Sequence, residues 1–143
     1  MKYILLCICL LSLLGCGTET KTQQDTKSTT ANEQAKTEQD IHVMAAKQAL
    51  SSGDYAKAIE EANVAIKADA NNGEAYSIRG FATALSGDTA KGLVDTKKAY
   101  DLDPNNVANY YNMAMVYKLQ GQLNESKQWF EKVLEKDPSN TWS

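Results

Sequence analysis

Between about Gln39 and Pro138, apolar residues recur at the three-and-four spacing of an amphipathic helix, and each stretch is soon cut by a glycine or a short polar run. Gly53, Gly87 and Gly121 stand 34 residues apart, and each ends one apolar helical stretch and opens the next. The same interval separates Ala70, Pro104 and Pro138. The pattern therefore reads as one unit written three times: a helix A, a glycine, a helix B and a connector. Glycine suits the A–B junction because the chain leaves a helix there through positive φ. Asp54 and Asp88, directly after two of the glycines, are good N-caps for helix B. The connectors Asp69-Ala70-Asn71-Asn72, Asp103-Pro104-Asn105-Asn106 and Asp137-Pro138-Ser139-Asn140 stop helix B and help to start the next helix.

A period of this length marks a helix–turn–helix repeat that cannot bury its apolar face alone and must stack on copies of itself. The expected fold is all-α: a superhelical stack of three repeats at about 39–72, 73–106 and 107–140, making six antiparallel helices, with the domain at 39–138 and a tail at 139–143. Such a stack forms a curved wall with a groove, and grooves of this kind bind other chains.

The residue types inside each unit resemble the tetratricopeptide repeat. The third unit matches best, with Tyr110, Met113, Ala114 and Tyr117 on helix A, then Ser126, Phe130, Val133 and Pro138. The second supplies Tyr76, Gly80, Gly92, Ala99 and Pro104, and its Arg79-Gly80 pair looks like a common variant. The first supplies Ala45, Ala46, Tyr55, Ala58, Ile59 and Ala65. Thr83 and Thr96 fall where larger apolar residues are usual, Ala49 and Ala62 are small, and Ala70 replaces Pro; the first two repeats are therefore expected to pack more thinly than the third.

The resemblance implies that the A helices line the concave side. Its groove positions hold Val43 and Lys47 in the first repeat, Ser77 and Phe81 in the second, and Tyr111, Met115 and Lys118 in the third. Apolar anchors Phe81, Tyr111 and Met115 inside a rim that includes Lys47, Glu74 and Lys118 suit a peptide or helix. The alternative is that these side chains pack on neighbouring helices as ordinary core. One subclass of the family grips a C-terminal carboxylate with a clamp of two Lys, two Asn and one Arg. The corresponding positions here are Val43, Lys47, Ile78, Ala108 and Asn112; none carries the residue type required at its own place, so that mode is not expected. Arrays of this type often close with an additional helix, and only Ser139 to Ser143 follow Pro138. Helix B of the third repeat, with Trp129, Phe130, Val133 and Leu134, is expected to be open, either to self-association as a weak homo-oligomer or to cover by Trp142.

The N-terminal segment has a different pattern. Met1-Lys2 supplies a positive start, Tyr3 to Leu14 is an apolar run, and small residues follow at Gly15, Cys16 and Gly17. The run is shorter than the roughly 20 apolar residues of a membrane span and fits a secretory signal, residues 1–15. Leu13-Leu14-Gly15-Cys16 resembles the bacterial lipobox, which implies cleavage before Cys16 and acylation of that residue, palmitate included. Two acyl chains give stable membrane anchoring without a transmembrane helix. The residue after the cysteine is Gly17 rather than Asp, which by resemblance to enteric lipoproteins favours the outer membrane, facing the periplasm; a Gram-positive surface lipoprotein would carry the same signal. Residues 16–38, rich in Thr, Gln, Lys, Glu and Asp, are expected to form a disordered linker, although Ala31 to Gln39 contains fair helix formers able to extend the first helix.

Composition narrows the function. The formal net charge is −3, with acidic and basic residues interleaved and no basic patch, so nucleic-acid binding is not expected. All three cysteines, Cys7, Cys9 and Cys16, precede the repeats, leaving none for a disulfide or thiolate metal site there. The single histidine, His42, has no second candidate group for catalysis near it in the sequence, and Glu60-Glu61 reads as a solvated helix face. No metal or cofactor is expected. The chain reads as a non-enzymatic, membrane-anchored scaffold or adaptor that binds another envelope protein, as in pilus, secretin or peptidoglycan assembly. A self-assembling structural envelope protein is the alternative.

Overall fold

The computed structural model describes residues 25–139, with side chains from residue 36 onward. The expected signal peptide, Cys16 and Trp142 lie outside the described residues. Six α-helices follow one another: α1 (Asp25–Ser51), α2 (Tyr55–Ala68), α3 (Gly73–Leu85), α4 (Thr89–Leu102), α5 (Val107–Leu119) and α6 (Leu123–Lys136). Among the described residues there is no strand, and no helix is long and apolar enough to cross a membrane.

The punctuation read from the sequence acts locally as expected. Gly53, Gly87 and Gly121 have φ of 79°, 111° and 77°, the left-handed conformation that turns helix A into helix B at little steric cost. The Asp54 carboxylate accepts from Lys57 N at 3.0 Å and that of Asp88 from Lys91 N at 3.1 Å, capping α2 and α4. At α6 the same position is Gln122, which makes no side-chain capping bond. Each connector holds an Asx turn: Asp69, Asp103 and Asp137 accept from the backbone N–H two residues on, at 2.9, 3.2 and 3.1 Å. Asn72 and Asn106 then cap α3 and α5, accepting from Ala75 N and Ala108 N.

One boundary differs from expectation. The sequence reads as a disordered linker to about Glu38 with Ala31 to Gln39 able to extend the first helix, whereas α1 is a continuous helix of 27 residues that begins earlier, at Asp25. Neither Gly nor Pro stands between Gly17 and Gly53. Once the packed segment around Val43 to Leu50 supplies the costly nucleus, each residue added upstream gains one backbone hydrogen bond and needs no new nucleation. Helix therefore runs about 20 Å beyond the first repeat, at 1.5 Å per residue.

Helices pair as α1–α2, α3–α4 and α5–α6, with α2 on α3 and α4 on α5 joining the repeats. The backbones of α1 and α3, and of α3 and α5, also approach closely, while α2 and α4, and α4 and α6, do not. The A helices thus form the inner, concave wall and the B helices the outer one. The core is unequal along the stack. Ala46, Ala49, Ala58, Ala62 and Ala65 dominate the first repeat, and Tyr110, Met113, Val116 and Val133 the third. The small residues are not simply thin packing. A Cβ placed on Gly92 would lie 2.6 Å from the Gly80 carbonyl oxygen, so α3 and α4 have closed to near backbone contact. Thr96, buried beside them, donates its hydroxyl to the Gly92 and Leu93 carbonyls of its own helix at 3.1 Å, which removes the cost of burying it.

Candidate functional site: the concave wall

The inner wall is built from α1, α3 and α5, and the structure sorts the seven expected groove residues into three groups. Val43 and Ser77 are corrected: both are buried. Val43 packs with Ala46, Ala62, Ala65, Ala75 and Ile78, because α3 closes over this side of α1. Ser77 accepts a hydrogen bond from Asn112 Nδ2 at 2.8 Å, so its hydroxyl ties α3 to α5. Phe81, Tyr111 and Met115 are half-buried, each leaving part of its apolar surface accessible. Tyr111 rests edge-on against Phe130 of α6, ring centroids 5.9 Å apart, which restricts its rotamer. Lys47 and Lys118 are exposed. Lys47 forms an ion pair with Glu74 across the junction between the first two repeats.

Several polar residues that order this wall were not marked as a site in the sequence. Arg79 Nε and Nη2 donate to the two carboxylate oxygens of Asp95 at 2.7 Å each, and Nη1 donates to Asn63 Oδ1 at 2.7 Å. One guanidinium therefore links α2, α3 and α4, while its carbon lies 5.1 Å from the Tyr76 ring centroid. The bond to Asp95 raises the Arg79 pKa above its ordinary value, against the opposing pull of burial. Bidentate arginine–carboxylate geometry is shape-specific as well as strong. The signal available in the sequence was the Arg-Gly pair on α3 facing a carboxylate on α4, but only the fold shows that they meet. On α5, Asn109 Nδ2 donates to the Ala99 and Asp103 carbonyls at 3.1 and 2.9 Å, fastening the third repeat onto the end of α4.

The outer side carries an open cleft of about 550 Å³ between α2 and α4, bordered by Ile59, Asn63, Thr83, Lys91 and Val94. Its ionic members are already engaged: Arg79 with Asp95, and Lys91 Nζ with Asp88 Oδ2 at 2.9 Å. Lys91 holds the Asp88 carboxyl below the usual carboxylate range. His42 Nδ1 lies 2.7 Å from Glu61 Oε2, so this histidine joins α1 to α2 and Glu61 is not merely solvated. Among the described residues no group of three or more His, Cys, Asp or Glu side chains could hold a metal ion.

Comparison with known proteins agrees with this architecture. Residues 108–140 match the family model described as the tetratricopeptide repeat. A search of the curated proteins found no match. Among solved structures, the second TPR domain of Spaghetti (RPAP3) bound to an HSP90 peptide superposes with a TM-score of 0.70 at 24% identity, covering 80% of this chain and 100% of that one. The Arabidopsis OM64 TPR domain gives 0.66 at 21% identity, covering 72% and 85%. The TPR2B domain of yeast Sti1, in complex with an Hsp70 peptide, gives 0.65 at 20% identity, covering 73% and 83%. The third repeat thus matches the tetratricopeptide-repeat model, and the six helices share the fold of the tetratricopeptide-repeat domains they superpose on.

Proposed function

We propose that this chain is a non-enzymatic adaptor of a bacterial envelope, held at a membrane through lipidated Cys16, whose concave wall binds a peptide or helix of another envelope protein. The observation that carries the binding half is the row of half-buried Phe81, Tyr111 and Met115 beside the charged Lys47, Glu74 and Lys118. Partly exposed apolar anchors inside a charged rim suit a docked segment, the apolar surface giving affinity and the charges orientation. Two of the similar domains were solved with HSP90 and Hsp70 peptides, which supports a peptide as the occupant class. A charged carboxylate clamp of the kind described above is disfavoured, since Val43 and Ile78 at two of its positions are apolar and buried. The anchoring half is supported by the sequence Leu13-Leu14-Gly15-Cys16 and the preceding apolar run. The extension of α1 would then hold the wall away from the lipid.

Two measurements separate the halves. Cys16→Ser should abolish incorporation of radiolabelled palmitate; unchanged labelling would reject the anchor. Crosslinking and recovery from solubilised envelopes should lose the same defined partner when Phe81, Tyr111 and Met115 are replaced by alanine, and also in the surface variant Lys47→Glu/Lys118→Glu, provided helicity is unchanged. Equal recovery by wild type and both variants would remove the concave wall from the reading.

A further inference from the structure

The two ends of the stack carry the two halves of one junction. On each A helix, two positions three residues apart face the preceding repeat. On α3 they are Ala75 and Ile78, buried in one cluster with Val43, Ala46, Ala62 and Ala65 of the first repeat. On α5 they are Asn109, bonded back to Ala99 and Asp103, and Asn112, bonded back to Ser77. On α1 the same positions are Ile41 and Met44, which are 59% and 69% exposed. With Ala45, Lys47, Gln48 and Ser51 they line an open cleft of about 710 Å³.

The opposite end shows the complement. On the B helices, Ile66 packs against the cluster that includes Ala75 and Ile78, and Tyr100 meets Tyr110 of α5 edge-on at 5.4 Å. The equivalent residue of α6 is Leu134, which is 50% exposed. Leu123 is 66% exposed, at the position where Tyr55 of α2 packs against the cluster containing Ala82 of α3.

A repeat stack needs a polar outer face at its ends to remain soluble as a monomer. Here the solvent-facing end positions on α1, Ile41 and Met44, are as apolar as the Ile78 that the first internal junction buries, and more apolar than Asn109 and Asn112 at the second. We propose that the Ile41/Met44 face of one copy seats on the Leu123/Leu134 face of a second copy, head to tail, continuing the repeat-to-repeat junction that the chain already makes twice within itself. The occupant is a second copy because donor and acceptor faces are both present on one molecule and correspond, position by position, to the internal junctions. Such an interface is heterologous and leaves a free donor and a free acceptor, so short filaments form instead of closed dimers. This association uses the ends of the stack and leaves Phe81, Tyr111 and Met115 of the concave wall uncovered, while Lys47 borders both surfaces.

The test uses full-length chains carrying two different epitope tags, co-expressed and co-precipitated, with Met44→Glu to block the donor face and Leu134→Glu to block the acceptor. Both side chains are exposed, so helicity by circular dichroism should be unchanged. Wild-type copies should recover each other. Each variant should recover itself more than about tenfold less well, because a carboxylate would be placed in an apolar contact. A Met44→Glu copy mixed with a Leu134→Glu copy should regain association, since one intact junction remains between them. Absence of wild-type association, a crossed pair no better than the self-pairs, or loss with Met44→Glu alone would each overturn the head-to-tail arrangement, the last pointing to an α1–α1 contact.

Discussion

Gly92→Ala should destabilise the stack even though it puts a better helix former in a helix. The added Cβ would sit 2.6 Å from the Gly80 carbonyl oxygen, 2.7 Å from Ala84 Cβ and 2.9 Å from Ala84 N. Ordinary carbon contacts are about 3.5–4.0 Å, so α3 and α4 must part by about 1 Å. Two of the three obstructing atoms belong to backbone, which cannot rotate away. The cost therefore lies towards the upper end of the overpacking range, about 3 kcal/mol. Helix propensity returns about 1 kcal/mol. A net loss of about 2 kcal/mol lowers the melting temperature of a domain this size by roughly 10 °C. Thermal unfolding followed by circular dichroism measures it. Ala84→Gly in the same chain removes one obstruction and leaves the Gly80 carbonyl, so the double variant should stay below wild type. A melting temperature for Gly92→Ala equal to or above wild type would refute the close-approach reasoning.

Three further outcomes are expected. Replacing Arg79 by Met leaves Asp95, largely buried, without its bidentate partner, and should cost about 1.5–3 kcal/mol in urea unfolding; a double-mutant cycle with Asp95→Asn that shows no coupling would contradict the linkage of α3 to α4. Tyr110 donates its hydroxyl to the Pro104 carbonyl, so Tyr110→Phe should cost about 1 kcal/mol. Burial, then the neighbouring Tyr100, raises the Tyr110 pKa above 10.0, so its contribution is intact below pH 10.0 and is lost as pH rises through the folded value. Alkaline titration should thus destabilise wild type more than Tyr110→Phe, and identical alkaline limbs would count against a buried neutral phenol. Gln122→Asp should supply the cap that α6 lacks and stabilise by about 0.5–1 kcal/mol at neutral pH. Protonating the new carboxyl would weaken the bond it accepts from the helix N-terminus, so the gain should fade in acid; a gain that persists under acid would point to another cause.

The candidate wall was only half legible in the chain. Lys47 and Lys118 are exposed on it, and Phe81, Tyr111 and Met115 are partly so. Val43 and Ser77 occupy the same A-helix face by spacing, yet α3 covers one and Asn112 of α5 engages the other. Helical spacing identifies a face but not how far the next helix overlaps it. The Arg79–Asp95–Asn63 linkage joins residues 16 apart in each direction, and only stacking brings their side chains to 2.7 Å.

What the sequence determined by itself is the alternation of helix and turn. Glycines with positive φ, Asp and Asn caps and Asx turns act within a few residues, so their chemistry sets the five junctions without help from the rest of the chain. Tertiary structure alone decided how closely those helices approach, which A-helix side chains stay accessible, and which ion pairs close between repeats. It also places the nucleus from which α1 runs back to Asp25. The reason is range: a cap or a turn is satisfied by neighbours along the chain, whereas burial is conferred by a surface supplied one repeat, 34 residues, away.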